Sequence, residues 1–495
     1  MLKKLKQIYQ NIRHLNSSVD NYKDESIIQS LPSVAYVNKA IKLIKNKKYD
    51  EAQEILESAL DISSQDSLVY KYLGKIAEYK KDFKKAVENY EISSKLNDQD
   101  KEIWLRLGMC RLYSNMLDEA IEAFTKADKI MPLNTDVYTG WGMVFMKQKK
   151  YALARDKFNY ACKISKYNYT AILLSAVMEM RLQDYNSAEE KLNFLVKVAP
   201  NESSFYEYSR LKLIQNKFEE AEKYALKAIN INKLLLPAYF ILGEVYSVKK
   251  DIVKLEQTFN SAVELGLDSD LLYFEWGKAY IRFIEFAKAR EQFEKCLSKN
   301  FNNQDARIGL ALINAYEGDF ILLDDMAEKN MQNVYIQEGL GVKYLKEGKY
   351  DDAVEMLKKA LKTDKNQISS YYALALVYMK KDDNYKVREY FDKLLERYPN
   401  YLSGLIEYTK WLINVSDFEE AQRKINRAEK LDKNNVEILN LLFLTQYTLV
   451  KKNICEYNIK EAISVADKAS GSGRFDYGPQ RQELEQILKD LQGKD

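Results

Sequence analysis

The chain has one histidine, His14, in 495 residues. That histidine falls in the amphipathic N-terminal segment, away from the rest of the chain, so no Ser-His-Asp or Cys-His arrangement that activates a nucleophile is expected. Its four cysteines, Cys110, Cys162, Cys296 and Cys455, are far apart and form no C-x-x-C pair. A zinc site is therefore not expected, and buried free thiols are. Free thiols suit a reducing compartment, so a cytoplasmic location is expected. Charge of one sign is also lacking. Lys+Arg 76 oppose Asp+Glu 73, a formal +3 spread along the chain, whereas a nucleic-acid binder shows a basic face or arm. No window approaches the roughly 18 apolar residues of a membrane span. The start, MLKKLKQIYQNIRHL, is basic like a signal peptide, but Lys6, Gln7 and Gln10 interrupt any apolar core. Glycine is dense only in GSGRFDYGP (471–479). No strand precedes it, the G-x-G-x-x-G spacing fails and no G-K-[ST] follows, so it reads as a linker and not a phosphate loop. Adjacent carboxylates such as Asp324 and Asp325 read as solvated surface. No catalysis, cofactor or metal is expected.

What the chain has is a repeated segment. Residues 101–134, KEIWLRLGMCRLYSNMLDEAIEAFTKADKIMPLN, place Trp104, Leu107 and Gly108 on one helical face, since residues three and four apart are neighbours on a helix. After a polar break at Ser114–Asn115, the residues Ala120, Phe124 and Ala127 make the facing side of a second helix. Small Gly108 and Ala120 let the helices approach, Trp104 and Phe124 fill the space beside them, and Pro132 stops the second helix. This W…L-G…A…F…A…P skeleton resembles the tetratricopeptide repeat. Two such helices cannot bury their faces alone, so copies must stack. The resemblance implies an all-α, right-handed superhelical solenoid of about thirteen helix-turn-helix repeats covering 33–469. Most of the 37 tyrosines are read as packing, since Tyr70, Tyr138, Tyr239, Tyr273 and Tyr371 stand where Trp104 does.

Residues 1–32 read as an amphipathic helix, with Leu2, Leu5, Ile8, Ile12 and Leu15 at helical spacing, plus a polar linker. That segment is expected to cap the stack rather than to lie on a membrane. Eight repeats fill 33–303, the fifth of them one residue short. The next segment, 304–333, is only 333 − 304 + 1 = 30 residues long and has Arg307 where the aromatic belongs. It is expected to be a bend or boundary. Repeats resume over 334–469, and 470–495 hold the linker and a last helix.

In the family the first helix of each pair lines the concave face. Its outward positions should be polar, yet here they read Leu105, Met109 and Leu112, then Thr139, Met143 and Met146, then Leu173, Val177 and Met180. A Leu/Met stripe of this kind suits an adaptable binding groove. Lys71, Lys75 and Arg106 on one side, and Tyr206 and Arg210 on the other, are expected to anchor an acidic group. The asparagines that chaperone-binding members use to hold a terminal carboxylate are missing, and that activity is not assigned. The function expected is therefore a non-catalytic scaffold or adaptor holding an extended peptide or amphipathic helix. Self-assembly through the exposed ends of the stack is the alternative, and a regulatory subunit of an enzyme complex is a third reading.

Overall fold

The structure, a computed structural model, describes residues 33–452, 456–471 and 476–492. The expected terminal helix and linker of 1–32, with His14, lie outside the described residues. Among the described residues there are 27 helices and no strand.

The third repeat shows how each pair is made. Its first helix, Lys101–Tyr113, starts at Asp100, whose side chain accepts from the Glu102 N–H and satisfies one of the donors a helix start leaves open. The helix ends where Asn115 turns left-handed, with φ 67°. The amides of Asn115 and Met116 then donate to the carbonyls of Leu112 and Arg111, at 3.3 and 2.9 Å, closing the helix as C-terminal caps commonly do. The second helix, Leu117–Ile130, stops two residues before Pro132.

The left-handed residue recurs at Lys47, Lys81, Asn115, Lys149, Gln183, Asn216, Lys250, Ile284, Gly318, Gly348, Asp382 and Ser416. Every step is 34 residues except 216 − 183 = 33 and 348 − 318 = 30. The register read from side chains is thus repeated in the backbone, including its short fifth and ninth members.

The two helices of a pair are buried differently. Leu117–Ile130 buries only Ala120, Ala123, Phe124 and Ala127, a single stripe. The following first helix, Thr135–Lys147, buries Val137, Tyr138, Thr139, Gly140, Gly142, Met143, Val144 and Met146. A helix covered on nearly every side lies inside. Second helices therefore form the outer layer and first helices are enclosed. Glycine sets their approach: a β-carbon at Gly74 would stand 2.7 Å from the Tyr90 ring, and one at Gly277 would stand 2.6 Å from Phe293. The tyrosines read as packing residues are buried at 138, 239, 273 and 371, and Tyr70 is half-buried.

The chain divides into two compact bodies, up to Ile241 and from Leu242 onward. The ninth repeat lies within the second body. Its second helix, Ile321–Asn330, has 10 residues and buries only Leu323 and Met326, while its first helix, Gln304–Glu317, packs directly on Val334–Lys346. Near this packing Glu338 is fully buried. Its carboxylate accepts from Tyr316 Oη and Gln367 Nε2, both at 2.6 Å, and from Ser370 Oγ at 2.9 Å. Burial pushes the Glu338 pKa up despite those donors. The last helix, Gly478–Gln492, lies on the final repeat through buried Leu484, beside Tyr477, whose ring is tilted against Phe443 with centroids 4.2 Å apart. Cys110 and Cys296 are buried free thiols and Cys162 is half-buried; burial raises the pKa of Cys162 and Cys296 to about 11.

Candidate functional site

The residues expected to form a groove all lie in the first body, on five consecutive first helices: Ser67–Tyr79, Lys101–Tyr113, Thr135–Lys147, Tyr169–Arg181 and Glu202–Ile214. The structure does not show them as an open apolar patch. Met143 keeps 1% of its surface, Leu112 3%, Met180 5% and Met146 8%, and Thr139 and Tyr206 are equally covered. These side chains are core. The reason is that a first helix apolar on every side is enclosed by its neighbours rather than left facing water. Leu105, Met109, Leu173 and Val177 stay half-buried. Of these, Met109 packs toward the next repeat, where a β-carbon at Gly140 would stand 3.0 Å from its Sδ.

The cations are matched within the chain. Lys71 Nζ lies 2.8 Å from Asp100 and 2.9 Å from Glu102. Lys75 Nζ lies 2.8 Å from the same Glu102. Arg106 reaches Glu102 at 2.6 Å and Glu78 at 3.0 Å, and Tyr90 Oη donates to Glu78 at 3.0 Å. At the far end Arg210 pairs with Glu207 at 2.8 Å. The expected anchor for an acidic ligand is thus already balanced by Glu78, Asp100, Glu102 and Glu207.

Glu102 is the hub of this cluster. Burial works against its charge, but Arg106, Lys75 and Lys71 prevail and hold its carboxyl well below the usual carboxylate range. Burial also opposes the Lys71 charge, and Glu102 and Asp100 overcome it, so its pKa is raised. At Lys75 burial wins and the pKa is lowered.

Local pattern reading missed these acidic partners. The signal that finds them is spacing by about one repeat: Lys71 to Asp100 is 29 residues and Arg106 to Glu78 is 28. Lys80–Asp50 and Arg388–Asp417 join neighbouring repeats in the same way. Among the described residues no three His, Cys, Asp or Glu side chains come together as a metal site.

Stacked helix pairs with an enclosed inner layer and an amphipathic outer one define a repeat solenoid, an architecture that supports protein–protein interaction in general. The chain is a tetratricopeptide repeat protein. Residues 33–66, 101–132 and 368–401 match the family described as Tetratricopeptide repeat, and 341–382 match the one described as TPR repeat.

Among curated proteins it resembles human protein O-mannosyl-transferase TMTC3, 24% identical over 302 residues, 56% of this chain and 33% of that protein. It also resembles the bovine BBSome complex member BBS4, 22% identical over 277 residues, 55% of this chain and 53% of that protein. The chain thus spans between a third and about half the length of these relatives. A crystal structure of the APC/C hetero-tetramer Cut9-Hcn1 shares the fold at a TM-score of 0.53 and 13% identity, covering 92% of this chain and 96% of that one. No helix of the described residues is long and apolar enough to cross a membrane.

Proposed function

We propose that the chain is a non-catalytic, cytoplasmic scaffold that holds an extended peptide or amphipathic helix along the first helices of its third to fifth repeats. One observation carries this reading. Where the rest of the stripe is core, Leu105 and Met109 on the first helix of the third repeat, and Leu173 and Val177 on that of the fifth, stay half-buried. Apolar side chains that keep part of their surface beside a rigid core offer a partner helix something to cover. The balanced cluster around Glu102 supports a partner chosen by shape and apolar fit rather than by net charge.

The test is a double substitution, Leu105→Glu with Leu173→Glu, read by crosslinking and capture from native cell extract. Each carboxylate would have to be buried against an apolar ligand at a cost of several kcal/mol. At 1.4 kcal/mol per tenfold, a micromolar complex would then escape detection. The melting temperature should stay within about 3 °C of wild type. An unchanged set of captured partners would place binding on another face.

A further inference from the structure

Each repeat ends in a short turn, and the penultimate residue of that turn is normally polar, as in Gln65, Gln99, Asp268, Asn366, Asn400 and Asn434. Three repeats of the first body break the pattern with large apolar residues: Leu133 is 63% exposed, Tyr167 67% and Leu234 62%. Leu133 also adopts a left-handed backbone, φ 66°, a conformation that a leucine takes at a cost. Burial does not repay that cost here.

Lys166 and Lys233 lie in such turns, and Lys129, Lys163 and Lys197 in the last turn of the helices that lead into them, all exposed. None has an ion-pair partner among the described residues, whereas Lys71, Lys75 and Arg106 of the first helices are matched. The acids on the helix ends beside these turns are Asp128, Asp136 and Glu202, and Asp128 already accepts from Tyr138 Oη at 2.6 Å.

We propose that this edge, the turns closing the third to sixth repeats, docks on an anionic lipid bilayer surface. The placement favours a membrane over a peptide. A peptide seeks a concave apolar site, whereas these side chains project singly from turns, each with nearly two-thirds of its surface free. A fluid interface accepts isolated leucine and tyrosine tips, and acidic headgroups meet the unmatched lysines. Nucleic acid would use the lysines and leave the leucines exposed.

The experiment is vesicle flotation of the full chain, with phosphatidylcholine alone or with about a third phosphatidylserine. Partition onto the serine-containing vesicles should exceed that onto neutral ones by about tenfold or more at low salt and fall steeply as salt is raised. Leu133→Ser/Tyr167→Ser/Leu234→Ser and, separately, Lys163→Glu/Lys166→Glu/Lys233→Glu should each lose about tenfold. Their circular dichroism melts should match wild type, since every altered side chain is exposed. Failure of the wild type to float, or flotation of both variants like wild type, overturns the proposal. Binding to polyglutamate without binding to vesicles also overturns it and assigns the edge to an acidic protein.

Discussion

The Phe124 ring lies so close on Gly108 that a β-carbon there would stand 2.8 Å from it. The same ring also meets Gly140 of the next repeat, where a β-carbon would stand 2.6 Å away. Phe124 has no exposed surface, so it has nowhere to yield. Gly108→Ala should therefore destabilise by about 1–3 kcal/mol through overpacking, although alanine is the better helix former by up to about 1 kcal/mol. Adding Phe124→Leu should recover part of the loss. A double-mutant cycle in urea showing strictly additive effects would mean that the two positions do not share one space.

Ala120 tests the contact within a single pair. It is fully buried, while Glu122, two residues on, faces water. Ala120→Arg should cost about 2–5 kcal/mol, because a long charged side chain has no room there. Glu122→Arg should cost under about 0.5 kcal/mol. Equal losses on thermal unfolding would mean that the inner stripe has been misassigned.

Met143 separates core from groove. With 1% of its surface left, Met143→Glu should lower the melting temperature sharply, since a carboxylate buried among apolar side chains costs several kcal/mol. Leu105→Glu, at a half-buried position of the preceding repeat, should leave the melt nearly unchanged. Similar melts for the two variants would return Met143 to the exposed groove.

Much of this arrangement is legible in the sequence because the repeat writes the same contact many times. The Gly108–Phe124 pairing recurs as Gly142–Phe158 and Gly243–Phe259, so one unit teaches the next. The short fifth and ninth repeats are also visible as missing residues. The candidate site is harder to read. Met143 and Met146 sit at nominally outward positions, and only the apolarity of the whole helix Thr135–Lys147 signals that it has no water-facing side. Lys71 and Arg106 look unmatched because their partners, Asp100 and Glu78, lie 29 and 28 residues away. Such pairs exist only once the stack has formed.

We propose that the ninth repeat is the weak place in the second body. A ten-residue helix with two buried side chains has little to hold it, and Ile321 within it is 82% exposed. Local opening follows from sparse apolar contact. Amides of Ile321–Asn330 should exchange faster than those of Phe286–Lys299 and Tyr350–Thr363 by about tenfold or more. Equal protection across the three helices would remove the bend or boundary assigned to 304–333.

Glu102 makes the charge cluster testable by pH. Its folded carboxyl is held well below the usual range by Arg106, Lys75 and Lys71 against the pull of burial. An acid whose pKa falls on folding stabilises above its unfolded pKa, here near 4.5, and loses that contribution as pH drops toward the folded value. Glu102→Gln leaves three cations with less compensation and should cost about 1–3 kcal/mol at pH 7, less than for a wholly buried pair because the site keeps some solvent contact. The gap between wild type and variant should be flat from pH 7 to about 5. Below that it should narrow by up to about 1.4 kcal/mol per pH unit. Urea unfolding at a series of pH values reads it directly. A gap unchanged down to pH 3 would mean that Glu102 titrates alike in both states and that the lysines and Arg106 are balanced by Glu78 and Asp100 alone.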